Sequence, residues 1–184
     1  MKIVSRDSLV DYVTYEERRE AMREAVMAAK AVRRIHVGPY LTFLFENQDT
    51  VRYQVQEMMR VERIVKEADI RHELDTYNEL LGGDGELGCT LLIEIETAEE
   101  RDVLLREWLD LPRHLYALLP DGRKVRAGFD PRQVGDTRLS SVQYLTFDVG
   151  GVVPRALGAD HPKLTVEVAL REDQQEALRA DLAS

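Results

Sequence analysis

The chain has 184 residues, 44% of them hydrophobic and 32% charged, a balance that excludes a wholly disordered polymer and allows a core of ordinary size. Its 34 acidic against 25 basic residues leave a formal net charge of −9, which repels polyphosphate and anionic lipid, so neither nucleic acid nor a membrane is an expected partner. A single cysteine, Cys89, excludes an internal disulfide and a thiolate-rich zinc site; without a signal peptide or a run approaching the roughly 18 apolar residues of a membrane span, a soluble cytoplasmic protein is expected, residues 1–184 forming one globular domain.

Ser5 is placed to cap a short turn reaching Val10. Thr14 and Glu17 then form the Ser/Thr-x-x-Glu pattern that satisfies free amides at a helix start, predicting a helix over residues 15–32 with Met22, Ala25, Val26, Ala29 and Val32 on its apolar side. Two strands, 33–37 and 40–46, flank Gly38-Pro39 as a hairpin or sharp bend.

Residues 49–68 read as one long helix. At 100° per residue Val51, Val55, Met58, Val61 and Val65 share a face, with Arg52, Gln56, Arg63, Lys66 and Glu67 opposite. Gln54 and Glu62 fall inside the apolar arc and Glu57 falls at its border. An amide and a carboxylate there need partners, because unpaired polar groups are costly to bury. Glu62 is therefore expected to be buried and ion-paired with Arg33 or Arg34, with Arg18 as a further candidate. Two alternatives stay open: a divalent cation held by Glu57, Glu62 and His72, or a small anion held by the arginines.

A short helix over 70–81 should stop at Gly82-Gly83. The run Gly83-Asp84-Gly85-Glu86-Leu87-Gly88 matches G-x-G-x-x-G in letters only. The dinucleotide fingerprint needs a strand before it and a helix after it, whereas here the order is reversed and two carboxylates oppose an anion; a connector is expected. Residues 89–96 form a strand, and Thr97 with Glu100 starts a helix that ends before Pro112. Pro120-Asp121-Gly122 joins the extended segments 114–119 and 123–129. Residues 141–149 and 164–170 alternate as strands, the former placing Gln143, Leu145, Phe147 and Val149 on one face, and a helix over 172–182 follows.

Clustered strands joined by short turns favour antiparallel or mixed pairing, so the expected class is α+β, with helices packed against a mostly antiparallel or mixed sheet. The histidines His36, His72, His114 and His161 are dispersed and match no metal-binding spacing. Cys89 opens an apolar strand without a basic neighbour, which points to a buried, inert thiol. The basic run Arg123-Lys124-Val125-Arg126 reads as a solvated sheet edge.

The run Tyr53-Gln54-Val55-Gln56-Glu57-Met58-Met59-Arg60-Val61-Glu62-Arg63, followed by Glu73-Leu74-Asp75-x-Tyr77-Asn78, resembles a bacterial family described only as domain of unknown function 3501. Arg33-Arg34 before Val37-Gly38-Pro39, Ile93-Glu94 and Asp160-His161-Pro162 extend the resemblance over nearly the full chain. The resemblance implies genomic neighbours of rubrerythrin-like and iron–sulfur oxidoreductase type, and hence a role in oxidative stress or electron transfer. It assigns no catalytic residue. The expected function is that of a non-catalytic accessory protein docking on a redox partner, with no cofactor held by this chain alone. The alternative is a small metal-binding protein or enzyme with a carboxylate-rich site on the 49–68 helix.

Overall fold

The computed structural model describes residues 3–184. In chain order its regular elements are α1 (Tyr12–Ala31), β1 (Arg34–Val37), β2 (Leu41–Phe45), α2 (Gln48–Glu62), α3 (Glu67–Asn78), β3 (Glu86–Ile93), α4 (Ala98–Glu107), β4 (Leu115–Leu118), β5 (Lys124–Arg126), β6 (Val142–Asp148), β7 (Ala156–His161), β8 (Leu164–Ala169) and α5 (Glu172–Leu182). Short 3-10 turns lie at Arg6–Ser8, Leu111–His114 and Pro131–Gln133. The class is α+β. Among the described residues no helix is long and apolar enough to cross a membrane.

The strands form two four-stranded antiparallel sheets, β1-β2-β3-β6 and β5-β4-β7-β8, where one sheet was expected. They abut at both margins. Just beyond β5, Gly128 bridges to Thr146 of β6, while β1 lies beside β8. At that second margin the β1–β2 turn comes so close to β8 that a Cβ on Gly38, whose φ is +65°, would stand 2.7 Å from a Val166 methyl. The inward faces share one core. Phe147 of β6 lies 6.3 and 6.2 Å from the ring centres of Phe43 and Phe45 on β2, and Leu115, Ala117, Leu157 and Ala159 come from the other sheet. Gln143 is buried with Leu145, Phe147 and Val149, as its alternation requires.

Strand β7 was not foreseen, since Ala-Leu-Gly-Ala-Asp-His lacks the β-branched signature. Its small residues answer to packing. A Cβ on Gly158 would come within 2.5 Å of the Tyr116 hydroxyl on β4, so only glycine lets that ring lie across the strand.

Helix α1 begins three residues before its expected start because Asp11, rather than Thr14, caps it, accepting from the Val13 and Thr14 amides. The expected helix over 49–68 is two helices. A reciprocal cap between Asn47 and Thr50 starts α2, and Arg63, in the left-handed conformation at φ 53°, ends it as the Ile64 amide bonds back to the Met59 carbonyl. The chain turns there, so that Ile70 and Leu74 of α3 return to Val51, Val55 and Met59, with Val4 and Leu9 completing a second core cluster. Carried straight on, the helix would have pointed its stripe at water: Val61 and Val65 are 67% and 70% exposed.

Residues 79–85 lead from α3 into β3, which confirms the helix-then-strand order around the glycines. Gly88 is sterically committed, for a Cβ there would fall 1.9 Å from the Leu80 carbonyl oxygen. Gly88→Ala is therefore expected to destabilise the fold by about 3 kcal/mol, the upper range for an overpacked site, as measured by urea denaturation.

Candidate functional site

The carboxylate predicted to be buried is exposed. Glu62 stands on the last turn of α2 in solvent, and neither Arg33 nor Arg34 is its partner. Arg33 instead makes a bidentate pair with Asp181 of α5, at 2.7 and 2.8 Å, and Arg34 is exposed. Gln54 is half-buried. Gln56, assigned to the polar face, is fully buried: its side chain accepts from Val10 N at 2.8 Å and donates to Val10 O at 3.0 Å.

The charged group that is sheltered is Glu57, whose side chain is 18% exposed. It accepts from the Tyr15 hydroxyl at 2.6 Å, from Arg19 at 2.7 and 3.0 Å, and from Arg60 at 3.3 Å. Burial acts to raise the carboxyl's pKa, but the Arg19 and Tyr15 hydrogen bonds outweigh it and hold the group at about 2. Burial and the same Glu57 bond push the Tyr15 phenol well above its usual range. Four donors on two oxygens make a clamp between α1 and α2. The three residues expected to share a metal do not converge: Glu62 and exposed His72 line a shallow depression at the α2–α3 turn to which Glu57 does not contribute. Among the described residues no three His, Cys, Asp or Glu side chains are placed to hold a metal ion.

Two of the dispersed histidines meet on the second sheet. The rings of His114 and His161 stand edge to face at 5.1 Å. Asp110 joins them, 2.9 Å from Nε2 of His161 and 3.3 Å from Nε2 of His114. The Lys163 amide donates to Nδ1 of His161 at 3.1 Å, which leaves Nε2 as the protonated nitrogen facing Asp110. Asp160 beside them binds Arg126 at 2.6 and 2.9 Å and Lys124 at 3.0 Å, and these bonds, Arg126 first, lower its pKa. Both ring nitrogens of His161 are thus engaged by groups of the chain itself, and the cluster fixes the Asp110 turn against the end of β7. The spacing Asp110-x-x-x-His114 and the pair Asp160-His161 were its traces in the sequence.

A cleft of about 680 Å³ lies over the solvent side of β6, within the range that small ligands and side chains occupy. Tyr144 and Thr146, on the outward positions of β6, form its floor. Tyr77, Glu79 and Leu80 at the end of α3 make one wall, and Phe129, Asp130 and Gln133 make the other. That second wall is fixed to the floor, because Gln133 donates to Tyr144 O at 3.1 Å and accepts from Tyr144 N at 2.7 Å. Asp130 caps the turn holding Gln133 by accepting from the Arg132 amide at 2.9 Å. Sequence reading missed this site because four separate segments contribute to it. Tyr77 in the run after α2, Glu86 in the glycine run and Cys89 had each been singled out, but for other reasons.

The model of a family described as a protein of unknown function, DUF3501, matches residues 3–182. The chain belongs to this family. No curated protein matches it. A crystal structure of a novel protein of unknown function from Burkholderia pseudomallei K96243 is similar over the whole fold, with 30% sequence identity, 98% of this chain and 100% of that chain covered, and a TM-score of 0.90.

Cys89 lies inside the core, where burial first and the charge of Glu46 second push its pKa well up. Ellman's reagent should leave the native protein unmodified and titrate one thiol after unfolding; rapid native reaction would contradict this. For Glu57, whose folded pKa lies below its unfolded value of 4.5, the ion-pair contribution is present above that value and is lost as pH falls toward 2. Glu57→Gln should cost about 2 kcal/mol at neutral pH, allowing for solvent screening at the rim of the clamp, and should flatten the acid limb of the stability curve measured between pH 5 and 2.

Proposed function

We propose that the chain acts as a non-catalytic accessory protein, a single cytoplasmic domain that recognises a protein partner through the cleft over β6. The observation that carries this reading is the cleft itself, whose floor includes a tyrosine side chain on an exposed strand face, with further aromatic and carboxylate groups in both walls. Amphipathic rings beside charge are the composition of a recognition surface. The polar clusters elsewhere support it differently. Glu57, Asp110 and Asp160 are each engaged by donors from the chain itself, which suits a scaffold of fixed shape.

That the partner is of redox type, an iron–sulfur oxidoreductase or a rubrerythrin-like protein, rests on the family resemblance alone. On this reading any redox cofactor belongs to the partner. Co-expressed with the products of neighbouring genes, the tagged protein should retain one of them through size-exclusion chromatography. If it retains none and carries about one tightly held metal per chain as purified, the accessory reading fails and a metal-dependent function takes its place.

A further inference from the structure

We infer that the cleft over β6 receives an arginine side chain of the partner. This deepens the accessory reading and rests on it. Among the described residues three carboxylates, Glu79, Glu86 and Asp130, line the cleft, together with Tyr77, Phe129 and Tyr144, and no lysine, arginine or histidine does. Two of the carboxylates are already used within the chain: Glu86 accepts from the Gly83 amide at 2.7 Å, and Asp130 is paired with Arg132. The Glu79 side chain is exposed at the cleft wall and makes no hydrogen bond or close ion pair among the described residues; the Arg132 that pairs with Asp130 attracts it only at longer range, which leaves its oxygens open to a donor. A planar guanidinium satisfies both parts of such a lining, stacking on a ring while donating to a carboxylate, whereas a neutral apolar group would leave the carboxylates facing it.

Phe129 already takes part in one such contact. It also lines the adjoining depression, where the Arg113 guanidinium stands 5.9 Å from its ring centre. The net charge of −9 adds long-range attraction for a basic partner surface.

The test uses the full chain and a probe of the side chain alone, N-acetyl-arginine methylamide, against its uncharged isostere N-acetyl-citrulline methylamide. Titrated into isotope-labelled protein, the arginine probe should shift the amide resonances of Gly128, Phe129, Tyr144 and Thr146 saturably, with the citrulline probe bound about tenfold more weakly. Tyr144→Ala and Glu79→Gln alter exposed side chains; each should weaken the arginine probe about fivefold or more with no change in melting temperature. Equal binding of the two probes, shifts that map elsewhere, or no saturable shift up to about 20 mM probe would overturn the inference. The source of the cation is read separately on the partner complex. Glu79→Lys should abolish co-purification of a partner that the unaltered chain retains. A partner still retained by Glu79→Lys would overturn the docking assignment while leaving the accessory reading intact; probe binding without any partner would overturn the accessory reading and, with it, the assignment of the arginine to a partner.

Discussion

Two hydrogen bonds, from Gly128 N to Thr146 O at 2.7 Å and from Thr146 N to Gly128 O at 2.8 Å, form the seam on which the arrangement depends. The chain leaves the second sheet at Arg126, and two residues later it is paired to the edge of the first. The seam joins the two layers over one core. It also decides what happens next in the chain, because Phe129, Asp130 and Gln133 must rise from the paired glycine as a wall beside β6. The cleft is thus a by-product of how the sheets are stitched. An edge strand that would otherwise expose unpaired amides is covered by the chain's own turn and by one side-chain amide.

Local chemistry was largely legible in the sequence. Period-2 alternation placed β6 and β8, the Pro120-Asp121-Gly122 turn placed the β4–β5 hairpin, and the Thr97 cap placed α4. The failures came where tertiary contacts overrule local preference. A continuous helical stripe from Val51 to Val65 is a sound periodic reading, yet a helix extends only while its face has something to cover. The second core cluster ends near Met59, so the chain reverses at Arg63 and two valines of the stripe remain in water. Strand β7 was hidden for the opposite reason: Gly158 in its middle is required by the ring of Tyr116 lying over it, which removes the β-prone residue the pattern needs.

For the site, the long helix was the right region and supplied the wrong residues. Once α2 ends at Glu62, that carboxylate sits on the last turn with free access to solvent, while Glu57, five residues earlier, faces Tyr15 and Arg19 of α1. Helical phase sets those two positions roughly 140° apart, yet it cannot say which one is sheltered without knowing where a second helix lies. The histidine pair and the cleft lie beyond sequence legibility for a simpler reason. His114 ends a 3-10 turn while His161 ends a strand far along the chain, and they meet only because β4 pairs with β7.

The run that carries the family resemblance reads differently once its contacts are known. Gln56 bonds both main-chain groups of Val10, and Asn78 does the same for Val4, accepting from its amide at 2.8 Å and donating to its carbonyl at 3.0 Å. Both amides lace an N-terminal segment without regular secondary structure onto α2 and α3. A side-chain amide is the natural device for this, since it offers one donor and one acceptor at the spacing of an extended backbone and so satisfies a residue that has no strand neighbour. Glu57, in the same run, clamps α1. This run therefore attaches residues 3–31 to the rest of the fold. Gln133 repeats the device on Tyr144, but at the rim of an open cleft. There the same two bonds hold a wall in position and leave the floor accessible.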